Sequence, residues 1–144
     1  MVILSQRDSR WGGKTIGQSK SLIKDFGCTI TSISMLSDWY GGYKDPSWMA
    51  KNLSFQVDKV IWNSINKKLN FDFVWRFYKY EEGRIPEALK GKDTACLLEI
   101  QKKHWVVGIK KIGSYYWCAD PWTASKRLIN KNLISGGATF TRKQ

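Results

Sequence analysis

Histidine is almost missing from this sequence: His104 is the only one among 144 residues. Cysteine is scarce as well, at three residues (Cys28, Cys96 and Cys118). Their odd number, wide spacing and lack of a C-x-x-C pair exclude a disulfide framework and leave structural zinc without its paired ligands. With three prolines, no low-complexity tract and no internal repeat, linker-like and solenoid architectures are excluded too. No apolar run approaches the ~20 residues needed to span a bilayer. The start, Met1 to Asp8, lacks the basic region and apolar stretch of a signal peptide, so synthesis as a soluble cytoplasmic chain is expected, with any action outside the cell following release. Acidic residues are also few, 12 against 24 Lys and Arg, and the net charge is +12. That imbalance calls for an anionic partner or surface: nucleic acid, lipid headgroups or an acidic cell-wall polymer.

What remains is globular: 42% hydrophobic and 25% charged, with eight Trp. The length suits one domain, 1–144, with one core, and that many aromatic residues implies that some line a cleft. Residues 2–11 read as an extended arm, broken by Gly12-Gly13, and 13–25 as a basic loop. A helix is predicted from Cys28 to Trp39, covered on both sides and stopped by Gly41-Gly42. Asp45-Pro46 is a helix start, an N-cap followed by Pro at the first helical position, for a helix from Pro46 to Leu53. Val60, Ile61, Ile65 and Leu69 predict another over Asp58–Leu69. Phe71–Tyr80 suits a strand, and Ile85–Lys90 a short helix ended by Gly91. Strands follow at Ala95–Ile100, His104–Ile112, Tyr115–Asp120 and Ala138–Arg142. Helices first and an antiparallel sheet second make the class α+β.

Cys28 stands after Gly27 at the start of a buried helix, where unpaired N–H groups and the helix dipole favour thiolate. The plain reading of such a thiol is core packing. His104, however, opens a strand, and Asp120 closes the next one, just before Pro121, so both belong at one end of a hairpin. Parity decides whether they meet. A clean two-residue turn at Gly113-Ser114 pairs Val107 with Asp120 and turns the carboxylate away from His104. An odd loop or a bulge pairs Val106 with Asp120 and puts both side chains on one face, within bridging distance. The sequence therefore predicts an odd loop or a bulge in this hairpin, with Gly113 the residue a bulged loop would want.

Thiol, imidazole and carboxylate then form nucleophile, base and orienting acid. The Cys28 backbone N–H would be one oxyanion donor, and an amide from the N-terminal part, Gln6 or Gln18, another. Cys96 and Cys118 read as small core residues, and Trp105 and Trp122 as cleft walls. This chemistry requires no metal and no organic cofactor.

Four short motifs, Gln6-Arg7-Asp8-Ser9-Arg10-Trp11, Phe26-Gly27-Cys28-Thr29-Ile30-Thr31-Ser32, His104-Trp105-Val106-Val107 and Ala119-Asp120-Pro121-Trp122, resemble in order and spacing the bacteriocin-processing-peptidase-like family. These are papain-like cysteine peptidases related to the double-glycine leader peptidases of bacterial exporters. Ile85 to Gly91 followed by Cys96 to Ile100 resembles the family's short helix and the strand before its histidine. The resemblance implies a papain-like fold, with the cysteine helix packed on an antiparallel sheet. It implies Cys28 as nucleophile, His104 as base, Asp120 as orienting acid and Gln6 as oxyanion donor; Gly27, Trp105 and Trp122 are expected in the substrate cleft beside them. One departure is Thr29, where the family often has Gly.

The charge points the substrate expectation to peptidoglycan peptides in an anionic wall, cut by an enzyme of the phage endolysin or bacteriolytic autolysin type. The alternatives are a protein-processing cysteine protease of the leader-peptide type, or an inactive nucleic-acid-binding or scaffold protein on the same fold. Against nucleic acid, no helix concentrates Lys and Arg and no nucleic-acid motif is present.

Overall fold

A computed structural model describes all 144 residues. The arm from Val2 leads into turns over residues 6–13, and a single bridge, Thr15 to Leu22, closes the basic loop. One helical turn, α1 (Ile23–Phe26), runs into α2 (Cys28–Trp39) through Gly27. Helix α2 is buried nearly all round: Ile30, Ile33, Met35 and Leu36 are hidden, and so are Thr31, Ser32, Ser34 and Ser37 on its other sides. Helix α3 (Pro46–Asn52) begins as its sequence dictates, the Asp45 carboxylate accepting from the Trp48 N–H at 2.8 Å with Pro46 behind it. A small ribbon, β1 (Phe55–Gln56) with β2 (Lys59–Val60), precedes α4 (Ser64–Lys68). Strand β3 (Phe71–Phe77), helix α5 (Arg84–Lys90) and strands β4 (Thr94–Ile100), β5 (His104–Ile112), β6 (Tyr115–Asp120), β7 (Ser125–Asn130) and β8 (Ile134–Arg142) complete the chain.

The last strands form one antiparallel sheet of six in the order β3-β8-β4-β5-β6-β7. Its two faces carry separate cores. Helix α2 packs on one, where Leu36 and Cys28 join Leu97, Trp105, Val107 and Phe140. Helix α5 covers the other, where Ile85 meets Cys96, Leu98, Val106, Tyr116 and Cys118. Each fully buried Leu or Ile contributes about 1.5–3 kcal/mol, so the two layers hold the sheet between them. Strand β8 is tightly seated: a Cβ at Gly137 would collide with the Phe77 ring and stand 2.6 Å from the Leu97 carbonyl oxygen. No helix is long and apolar enough to cross a membrane.

Three expectations need correction. The predicted helix over Asp58–Leu69 holds only in its second half, because Lys59 and Val60 pair with Gln56 and Phe55. Strand β7 was unforeseen, since of its six residues only Ile129 is buried and no alternation announces it. Strand β8 begins at Ile134 instead of Ala138; the two glycines that look like a break are a close-packed part of the strand. The β5–β6 hairpin, by contrast, contains the bulge that the sequence called for, though away from its turn. Its turn is a two-residue one, Gly113-Ser114, with Gly113 at φ +61°. A bulge at Ile109, between the Gly108–Cys118 and Lys110–Trp117 pairs, restores the parity that sets Val107 opposite Ala119, and so Asp120 level with Val106.

Candidate active site

Cys28 is the first residue of α2 and is 9% exposed. Gly27 makes that position attainable: a Cβ there would lie 2.5 Å from the Ile23 carbonyl oxygen, so only glycine lets α1 turn into α2 so tightly. Gly27 itself is buried and stands next to the thiol without lining the groove. The helix start directs first-turn N–H groups and the positive end of its dipole at this end.

His104 opens β5 and Asp120 ends β6, and the imidazole Nε2 lies 2.6 Å from Asp120 Oδ1. The other ring nitrogen is not taken by Asp120, and Cys28 lines the same groove as the imidazole and acts on its charge. Alternation groups His104 and Asp120 with Val106 and Cys118, in the core layer under α5, whereas Cys28 belongs to the layer under α2. The three functional groups meet because His104 and Asp120 stand at strand ends. Burial works against charge on His104, but the hydrogen bond to Asp120, the neighbouring Cys28 side chain and the negative charge of the carboxylate win, raising the imidazole from its ordinary 6.5 to about 9.

Asp120 is 1% exposed and fully engaged. Its Oδ1 also accepts the Trp122 N–H at 2.8 Å, and its Oδ2 accepts from Arg127 Nη1 at 3.1 Å. Burial alone would raise this carboxyl; the bonds to His104 and Trp122 and the nearby positive charges hold it below its ordinary value. Arg127 is a partner that sequence reading missed. It stands on β7, opposite Cys118, and only the register of that unforeseen strand brings it to the carboxylate.

The N-terminal arm is fastened to the same loop. Gln6 N–H donates to the Pro121 carbonyl at 2.9 Å, Arg7 Nη2 to the Trp122 carbonyl at 2.9 Å, and the Arg7 guanidinium lies 4.6 Å from the Trp122 ring centroid. Buried Trp11 anchors the arm from behind through its indole N–H to the Ser5 carbonyl at 2.8 Å. Gln6 is 1% exposed; its Nε2 donates to the Lys24 carbonyl at 3.1 Å, which keeps the amide nitrogen on the side of α1 and α2. An amide nitrogen carries a second hydrogen. Gln6 lines the groove with Cys28; Gln18, the alternative amide, is exposed and lies elsewhere.

The groove measures about 900 Å³ and holds Gln6, Cys28 and His104. Trp105 and Trp122 line it, and Trp62, tilted against Trp105 with centroids 5.2 Å apart, adds a third indole. Four non-glycine residues of the chain are left-handed: Val57, Gln101, Lys102 and Ala124. Each belongs to a turn that gives the groove a lining residue, namely Asp58, Lys102 and Trp122. Backbone strain of this kind gathers where surrounding structure over-determines a functional surface. No group of three or more His, Cys, Asp or Glu is placed to hold a metal ion.

No protein-family model matches the chain, and no curated protein does. Among solved structures it is similar to the crystal structure of a double glycine motif protease from an AMS/PCAT transporter in complex with the leader peptide, with a TM-score of 0.61. The match covers 94% of this chain and 96% of that one at 17% identity. The chain thus shares the fold of that protease, an α+β domain whose cysteine helix packs on an antiparallel sheet.

Proposed function

We propose that the protein is a cysteine peptidase in which Cys28 attacks, His104 moves the proton, Asp120 orients the imidazole and Gln6 with the Cys28 N–H receives the oxyanion. The observation that carries it is the meeting of Cys28 and His104 in one groove, with the imidazole Nε2 held 2.6 Å from the buried Asp120 carboxylate. With its value near 9, the imidazole holds at neutral pH the proton that the thiol gives up in attacking. The sulfur lone pair forms a bond to the scissile carbonyl carbon, and the C=O π pair moves to oxygen. The oxyanion collapses, the C–N bond breaks, and the imidazolium gives its proton to the departing amine. A water then loses a proton to His104 and attacks the thioester; the thiolate leaves, and the acid product departs.

For the substrate, a protein or peptide processed in the manner of a leader peptide has the support of the fold, since the structural neighbour is a double glycine motif protease bound to its leader peptide. A second reading, peptidoglycan peptides attacked after release, rests on the net charge of +12. The test sets purified protein against peptides carrying a double-glycine motif and against bacterial walls at low ionic strength. Cleavage of the peptides without wall clearance, lost in Cys28→Ala, is the expected result. Wall clearance with no peptide cleavage would reverse the substrate assignment, and no Cys28-dependent cleavage of either would remove it.

A further inference from the structure

The turn that leads into His104 is built in an unusual way. Ile100, Gln101, Lys102 and Lys103 form a tight turn closed by Lys103 N–H to the Ile100 carbonyl at 3.0 Å. Its central residues, Gln101 at φ +51° and Lys102 at φ +59°, are both left-handed. Such turns normally take Asn-Gly, because an L side chain there clashes with backbone and costs roughly 1–2 kcal/mol per residue. Here the conformation is imposed from outside. Gln101 N–H donates to the Leu133 carbonyl at 2.9 Å, and Lys102 N–H to Ser135 Oγ at 2.8 Å. Ser135 sits where β8 slips register against β4, between Gly136 opposite Glu99 and Ile134 opposite Ile100. A bulge thus holds the turn, and the turn carries two lysines where glycine would fit with less strain.

Lys102 and Lys103 are exposed and line the same groove as Cys28 and His104. Neither ammonium is paired with a carboxylate. Glu99, which shares the groove, is engaged by Arg76 at 3.1 Å and by Ser135, with an Oγ–Oε1 distance of 3.0 Å. The other acids of the groove, Asp25 and Asp58, come from α1 and the β1–β2 ribbon, and Asp58 accepts from Ser21 Oγ at 2.7 Å. The end of the groove beside His104 therefore keeps free positive charge, held on a backbone that cannot swing away.

We propose that the Gln101–Lys103 turn is an anion-binding subsite of the groove, which takes a carboxylate carried by the peptide substrate close to the bond that Cys28 attacks. This rests on the peptidase reading and adds to it a preference for acidic substrate. Alkylation of Cys28 by iodoacetate and by iodoacetamide isolates the charge effect, since both reagents deliver nearly the same group and only one is an anion. In wild-type protein at low ionic strength the rate ratio should favour iodoacetate over its value with a free thiol. In K102Q/K103Q the ratio should fall about threefold or more, as two nearby charges are lost, and added salt should narrow the gap. K102R/K103R, which keeps the charge, should keep the ratio. K67Q/K68Q, which removes the same charge on α4, should leave it nearly unchanged. An unaltered ratio in K102Q/K103Q, or an equal fall in K67Q/K68Q, overturns the subsite. Failure of the peptidase reading would look different: iodoacetamide would then modify Cys28 no faster than an ordinary thiol, whatever the ratio between the reagents.

Discussion

Cys28 and the pair Cys96 and Cys118 are the same residue in opposite surroundings. Cys28 heads a helix at the rim of a groove that it shares with an imidazole. Cys96 and Cys118 are 0% exposed in the core under α5, on either side of Gly108, which pairs with both. Burial pushes the Cys96 thiol up, and it takes the Cys118 thiol to about 12, helped by the charge of Asp120. Nor can these two join each other, because two strand spacings of ~4.8 Å exceed the roughly 7 Å limit between Cα atoms for a disulfide. On the proposed reading nucleophilicity is a property of position: helix start, imidazole and access would make one thiol a reagent, while apolar packing keeps the two others as filler.

The largest expected way to blunt that contrast is Asp120→Asn, which keeps shape but removes the charge that fixes and protonates His104. We expect kcat/KM to fall by about 10²–10⁴-fold. The sign of the pH effect follows from the raised imidazole. The folded-state imidazole keeps its proton until pH rises through about 9, and its contribution to stability, present in full below the ordinary 6.5, fades over the same range. The basic limb of the activity profile should therefore lie near pH 9 and move to lower pH in Asp120→Asn; a limb that stays in place would separate the two residues. Gln6→Ala should cost less, about 10–10³-fold in kcat with little change in KM, as for the loss of one oxyanion donor. Smallest on chemistry is Cys118→Ala: kcat/KM within about twofold of wild type, with stability lowered by about 1–2 kcal/mol for the space left in the core, read by urea denaturation.

Much of the site was legible in the sequence because its residues are rare. A lone histidine at a strand start, an Asp-Pro at the next strand's end and a Gly-Cys at a helix start leave few other assignments. Asp45-Pro46 placed α3 because capping is local chemistry. What stayed hidden depends on contacts distant in sequence. Arg127 carries no local mark as a partner of Asp120, since its strand has one buried residue in six. The parity problem was visible but its solution was misplaced: expectation centred on Gly113, whereas the bulge sits at Ile109, beside Gly108. An isolated glycine within a strand was the available signal. The ribbon within Asp58–Leu69 was hidden by a helical spacing that its β pairing overrode.

Site-resolved alkylation of the three thiols with iodoacetamide across pH tests the central claim most directly. Cys28 should react well below pH 8 and far faster than Cys96 or Cys118, and it should lose that advantage in His104→Ala. Equal, slow reaction at all three thiols, unaffected by His104→Ala, would contradict an activated nucleophile at the head of α2.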